Sequence, residues 1–214
     1  MTEGGRRGLF IVFEGVEGSG KSTHVRRLSE RLMAAGISHR VTREPGGTES
    51  AERIRSVVLD PTLEIGPEAE LLLILAARAE FVRDIVEPSL ADGEIVVGDR
   101  YELSTYAYQG IARGLGLERV KELNALATGG LKPDAIVLLE VDSAAGLARK
   151  ETAADRMESE DAAFHEAVEA AYQKLAETEP NVIRIDTSRS CEVVAAEIDA
   201  VLATRWPERF SALT

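Results

Sequence analysis

A single cysteine, Cys191, stands among 214 residues, so no internal disulfide can form, as expected of a protein in a reducing compartment. Its neighbours Ser190 and Glu192 bring no positive charge, and a plain structural or surface thiol is expected rather than a nucleophile. No apolar run approaches the roughly 20 residues that span a bilayer. Residues 1–8 carry no apolar stretch of a secretory signal, and a cytoplasmic location without a membrane partner is expected. Positive charge is scarce as well: 25 Lys and Arg against 37 Asp and Glu leave a formal net charge of −12. Such a surface repels nucleic acid and anionic membranes at long range, while a small anion can still enter a locally basic pocket. Repeats, low-complexity blocks and Pro-, Gly- or Ser-rich linkers are missing too. One domain over residues 9–206 is expected, between an N-terminal tail (1–8) and a C-terminal tail (207–214).

Short, β-branched apolar runs alternate along the chain with helical patterns. The runs are Leu9 to Phe13, Ile95 to Gly98, Ala135 to Leu139 and Val182 to Ile185, with a weaker one at His39 to Thr42. Helical spacing follows at Val25, Leu28 and Leu32, at Ile54 to Val58, and from Leu71 through Val86 as one long helix. Leu117 to Ala127, Ala163 to Leu175 and Val193 to Leu202 complete the series. Continuous apolar strands separated by helices imply a parallel sheet covered on both faces. The expected fold is a three-layer α/β/α domain with a five-stranded parallel sheet, and 110–116 and 128–133 are expected as glycine-containing loops.

Between the first strand and first helix lies Gly15-Val16-Glu17-Gly18-Ser19-Gly20-Lys21-Ser22, followed by Thr23. It fits G-x-x-x-x-G-K-[ST] at every fixed position and in the strand–loop–helix setting the motif requires. The glycines let successive N–H groups curl toward phosphate oxygens, and the helix dipole adds positive potential. Lys21 is placed to bridge the β- and γ-phosphates, and the Ser22 hydroxyl to ligate Mg²⁺. A bound nucleoside triphosphate with Mg²⁺ follows, though GTPases, motor ATPases and kinases all share this loop. The Asn-Lys-x-Asp element of guanine-specific GTPases is missing, and the chain is short for a large ATPase. A small kinase remains, and it needs a second anion site.

Asp99-Arg100-Tyr101 supplies one, directly after the third strand. Ligands of doubly wound sheets gather at the carboxyl ends of strands. There Asp99 can hold Mg²⁺ through water, and the planar fork of Arg100 can take a pair of phosphate oxygens. Thr42-Arg43-Glu44-Pro45-Gly46-Gly47-Thr48 adds a tight turn and, in Arg43, another cation.

These pieces together resemble the bacterial thymidylate kinases. The resemblance runs from Phe10 to about Arg205 and rests on several motifs in order. They are Phe13-Glu14-Gly15, the Thr42 to Gly47 element, Ala76-Ala77-Arg78, Gly98 to Tyr101, Leu103 to Gly110 and Asp155-Arg156-Met157-Glu158. It implies transfer of the γ-phosphate of ATP to thymidine monophosphate, with Mg²⁺, by a homodimer whose interface includes the helix from Leu71 onward. Glu17 is then expected at the acceptor's 3′-hydroxyl, and Arg100 with Arg43 at its phosphate. Arg78 is expected at a base carbonyl, Ser104, Thr105 and Gln109 along the base and sugar pocket, and Tyr108 beneath the sugar. The family's usual aromatic residue four positions before the base-reading arginine is Ile74 here. Val16, Glu17 and Ser19 put no cation in the phosphate loop, so the sequence is similar to the type whose basic residues lie in a lid, about 148–160, with Arg149, Lys150 and Arg156. Lys21, Arg100, Arg149 and Arg156 are the expected catalytic cations of a direct in-line transfer. A phosphate acceptor needs no catalytic base, in line with three histidines, His24, His39 and His165, that read as surface residues. Kinases for another nucleoside monophosphate or a deoxynucleoside share this logic. A catalytically silent binding module would show a damaged phosphate loop or lack Asp99-Arg100.

Overall fold

The computed structural model describes residues 7–141 and 155–213. Five strands, β1 (Leu9–Glu14), β2 (His39–Arg43), β3 (Ile95–Asp99), β4 (Ala135–Glu140) and β5 (Val182–Asp186), form one parallel sheet in the order β2-β3-β1-β4-β5. The expected α/β/α fold is therefore present. The three central strands are buried along nearly their whole length, which is why they read as unbroken apolar runs; the edge strands β2 and β5 are more exposed and read more weakly.

Alternation along β1 divides the core. Ile11 and Phe13 face a layer made by α1 (Lys21–Ala34) and α8 (Cys191–Arg205), with Val25, Leu28, Leu32, Val194, Ile198 and Leu202. Phe10 and Val12 face the opposite layer, where α3 (Pro67–Phe81) contributes Phe81 and a following π-helical turn (Val82–Val86) contributes Val82 and Val86. On that same side α6 (Leu117–Thr128) and α7 (Ala162–Thr178) pack Val120, Val168 and Tyr172 against Ile136 and Leu138 of β4. The α2 helix (Glu49–Val58) lies against α3. Local chemistry sets the helix starts: the Thr48, Asp161 and Ser190 side chains accept from backbone N–H groups of α2, α7 and α8, and Pro67 opens α3.

Several expectations change. The helix expected from Leu71 through Val86 ends its α-helical part at Phe81 and widens into the π turn before α4 (Glu87–Ala91). Pro88 has no N–H to return to the carbonyl four residues back, so the ladder shifts register upstream of it. Residues Tyr106–Ala112, after the short α5 (Glu102–Thr105), are also π-helical, so the start of the expected 110–116 loop is helix. Residues 207–213 do not behave as a free tail: α9 (Pro207–Phe210) and a 3₁₀ turn (Ser211–Leu213) insert Phe210 and Leu213 into the α1/α8 core. His24 and His165, expected on the surface, are buried; His39 is half-buried. The ring of His24 fits over the side-chain-free Gly20, and burial, with Arg27 nearby, lowers its pKa.

Candidate active site

The connections leaving β1 and β3 pass to opposite faces of the sheet, into α1 and α5. Adjacent strands whose connections diverge leave a crevice at their carboxyl ends. An open cavity of about 800 Å³ lies there, walled by the loops after β1, β2 and β3.

The phosphate loop forms one wall, contributing Glu17, Gly18, Ser19, Gly20, Lys21, Ser22 and Thr23. Gly15 turns the chain out of β1 at φ 141°, where a Cβ would sit 2.4 Å from the carbonyl oxygen of Leu139. Only glycine fits that approach. Gly15 and Val16 shape the loop from behind rather than lining the cavity, and Val16 is buried in the core. The Lys21 ammonium donates to the carbonyls of Gly15 at 3.0 Å and Val16 at 2.8 Å. Burial, reinforced by Arg100, lowers its pKa from 10.5 to about 8. The Ser22 hydroxyl donates to Asp99 Oδ2 at 2.7 Å, so two hard oxygen donors, one from the start of α1 and one from the end of β3, converge. Among the described residues no cluster of three or more His, Cys, Asp or Glu side chains could hold a metal alone. A serine and one carboxylate fit Mg²⁺, which takes few protein ligands and completes its octahedron with phosphates and water.

Arg100 follows β3 in the left-handed region at φ 72°, the one described non-glycine residue with positive φ. That conformation costs roughly 1–2 kcal/mol for an L-residue. Glu14, fully buried at the end of β1, holds the strained turn: Oε1 accepts the N–H groups of Tyr101 (2.8 Å) and Ser104 (3.1 Å), and Oε2 the hydroxyl of Tyr172 (3.1 Å). The guanidinium thus held pairs with Glu17, donates to Ser104 Oγ at 3.0 Å and lies 5.4 Å over the Tyr108 ring. Among the described residues the buried Tyr108 hydroxyl, at the cavity wall beside Arg100, has no hydrogen-bond partner within normal geometry.

Farther along the cavity, Ile74 and Arg78 of α3 meet Ser104, Thr105, Tyr108 and Gln109. Arg78 is 2% exposed. It donates to Glu44 Oε2 at 2.7 Å, Asn124 Oδ1 at 2.7 Å and the Tyr101 carbonyl at 2.9 Å. Burial pushes the Glu44 carboxyl up to about 7 against the opposing pull of Arg78. Arg43 also lines the cavity and pairs with Glu52 at 2.9 Å.

The structure thus brings together Glu17 through Thr23, Arg43, Ile74, Arg78, Asp99, Arg100, Ser104, Thr105, Tyr108 and Gln109. It does not bring Arg156 to the cavity wall, because its guanidinium donates to the Val58 carbonyl at 2.8 Å and to Glu70 at 2.7 Å. Arg149 and Lys150 lie outside the described residues. Sequence reasoning gave no role to Arg55, Thr187 and Arg189 or to the buried Glu44, all of which line the cavity, nor to the buried carboxylates Glu14 and Glu70 behind it. The rule that ligands gather at strand ends pointed to the loop after β5, where Thr187 and Arg189 sit. Nothing in the sequence marked Arg55, whose spacing suits an exposed helix face.

A model of the family "Thymidylate kinase" matches residues 13–198. A thymidylate kinase of Deinococcus radiodurans is 46% identical over 202 residues, covering 93% of this chain and 98% of that protein. One from Pseudomonas fluorescens is 46% identical over 199 residues, covering 91% and 95%. The crystal structure of thymidylate kinase from Ehrlichia chaffeensis superimposes with a TM-score of 0.77 at 32% identity, over 93% of this chain and 99% of that one.

Proposed function

The chain belongs to the thymidylate kinase family, and from that premise we propose how its residues divide the work. The reaction is ATP-dependent phosphorylation of thymidine monophosphate to thymidine diphosphate. The observation carrying the assignment of roles is the convergence of Lys21, the Ser22–Asp99 pair and Arg100 on one crevice at the ends of β1 and β3. Lys21, whose ammonium already rests on the loop carbonyls, turns to the β- and γ-phosphates of ATP. Arg100, with Arg43 nearby, holds the acceptor phosphate, and Glu17 exchanges its pairing with Arg100 for the acceptor's 3′-hydroxyl. Arg78, fixed by Glu44 and Asn124, presents its edge to a base carbonyl, with Ile74 against the base face. Ser104, Thr105 and Gln109 complete the base and sugar wall, and Tyr108 lies under the sugar. The acceptor's phosphate oxygen is ionised near neutral pH, so transfer needs positioning and charge stabilisation rather than a base.

Mg²⁺ is the metal this donor set suits: Ser22 and, through water, Asp99 would hold it, and when bound it neutralises charge on the transferring phosphoryl group. Arg156 serves as an anchor to α2 and α3 through the Val58 carbonyl and Glu70, leaving transition-state charge to Lys21, Arg100 and Arg149. A homodimer is supported by exposed apolar side chains on neighbouring helices: Val57 on α2, Leu72 on α3 and Leu126 on α6. Among the described residues no helix is long and apolar enough to cross a membrane, and we place the enzyme in the cytoplasm. An ADP-release assay with ATP, Mg²⁺ and each nucleoside monophosphate in turn tests the assignment. Strong turnover with thymidine monophosphate is expected; turnover with none of the acceptors would refute it. Light scattering of the wild type and of Leu72→Glu tests the dimer.

A further inference from the structure

Glu70, in the first turn of α3, is fully buried although it belongs to no expected motif. Its Oε1 accepts from Gln109 Nε2 at 2.7 Å and Arg113 Nε at 3.3 Å; its Oε2 accepts from Arg156 Nη2 at 2.7 Å and Arg113 Nη2 at 3.2 Å. Those cations are themselves fixed. Arg113 lies 4.4 Å over the Phe164 ring and pairs with Glu160, and the Arg156 backbone N–H donates to the Leu59 carbonyl at 3.2 Å. The carboxylate is thus held by residues from separate elements at the end of the cavity where Gln109, Ile74 and Arg78 meet.

A primary amide has a donating and an accepting end of nearly identical shape, and its neighbours decide which way it points. A carboxylate only accepts. The NH₂ of Gln109 must therefore face Glu70, and the carbonyl oxygen is left as the other end. We propose that Glu70 is a positioning residue that sets the hydrogen-bonding sense of Gln109 and so selects an imide base over an aminopyrimidine. The inference rests on the reading above that Gln109 lines the base subsite. Thymine presents a donating N3–H to the Gln109 carbonyl. Cytosine presents an unprotonated ring nitrogen, and two acceptors then face each other without a proton between them. A site built around a specific hydrogen bond rejects the analogue that lacks it far better than apolar contact does. Ile74 packs on a base without reading its edge, so the polar edge of the pocket carries the discrimination.

The test uses the full-length enzyme. In the wild type, the side-chain NH₂ resonances of Gln109, assigned by their loss in Gln109→Ala, should exchange slowly with solvent both with and without thymidine monophosphate. Exchange as fast as surface glutamines would overturn the inference, and this reading needs no folded Glu70 variant. In Glu70→Gln the amide is free to turn. The KM for thymidine monophosphate should rise at least tenfold with the KM for ATP within twofold, and the kcat/KM preference for thymidine over deoxycytidine monophosphate should fall at least tenfold. A lower Tm with that preference unchanged would mean a merely structural carboxylate and overturn the proposal. Gln109→Ala separates the two levels. If it raises the thymidine monophosphate KM while Glu70→Gln leaves the preference intact, Glu70 alone has been misjudged; if it has no effect, the base-subsite reading fails and the inference with it.

Discussion

Lys21 is 7% exposed and lies against two carbonyl oxygens, with Arg100 among the charges that act on it. Burial first, and Arg100 second, lower its pKa from 10.5 to about 8, a difference of roughly 3 kcal/mol between its two protonation states. Near pH 8 about half the free protein then carries a neutral Lys21. The phosphates of ATP restore a strong preference for the ammonium, so binding must draw a proton from solvent. The uptake expected is about 0.1 proton at pH 7, about half at pH 8 and about 0.9 at pH 9. Titration calorimetry with Mg²⁺-complexed ATP measures it as the slope of binding enthalpy against buffer ionisation enthalpy. A slope near zero at both pH 8 and pH 9 would refute the argument, because Lys21 would then be fully charged before ATP arrives. Linkage to folding has a fixed sign. Between about pH 8 and 10.5 the unfolded chain holds the proton that the folded one has lost, so this group makes stability rise with pH there and contributes no slope below pH 7.

Replacing Glu44 by Ala leaves the Arg78 guanidinium buried without its partner; we expect a loss of about 3–5 kcal/mol and a Tm lower by roughly 10 °C. A change under about 1 kcal/mol by denaturant titration would show that Asn124 and the Tyr101 carbonyl suffice. Phe210→Ala empties a fully buried site in the α1/α8 core and should cost about 3–5 kcal/mol with kcat unchanged for the folded fraction; a neutral result would mean residues 207–213 are dispensable. Asp99→Asn keeps the shape of the Ser22 pair but removes the charge. It should lower kcat at least about tenfold and raise the Mg²⁺ concentration for half-maximal activity, and an unchanged Mg²⁺ dependence would remove Asp99 from the metal site.

The sequence alone determined the architecture and marked the phosphate loop, because both are written in local patterns. Short, continuous, β-branched apolar runs on β1, β3 and β4, elements of five or six residues, are the pattern of strands buried on both faces, and a phosphate loop is one contiguous segment whose glycines and lysine lie within a few residues of each other. Arg100 and Asp99 were legible because a strand end is itself a local feature. What only the tertiary structure decided is which charges lie beneath the site and what each one touches. Glu70 reads as an ordinary member of a chain with 37 acidic residues, and Glu14 and Glu44, though they stand in motifs of the resemblance, carry no local mark of burial; the partners of these three carboxylates lie 34 to 158 positions away. Arg156 shows the same limit from the other side. Its motif suggested a cation at the reacting phosphate, and only the fold shows that its guanidinium donates to Glu70 and the Val58 carbonyl. Burial of Phe210, Leu213 and His24 was likewise invisible, since it depends on how α9 and the phosphate loop close over the core rather than on any spacing in the chain. Periodicity encodes which face of an element is apolar; hydrogen-bond partners and desolvation are set by distances in space, and those exist only after the sheet has assembled.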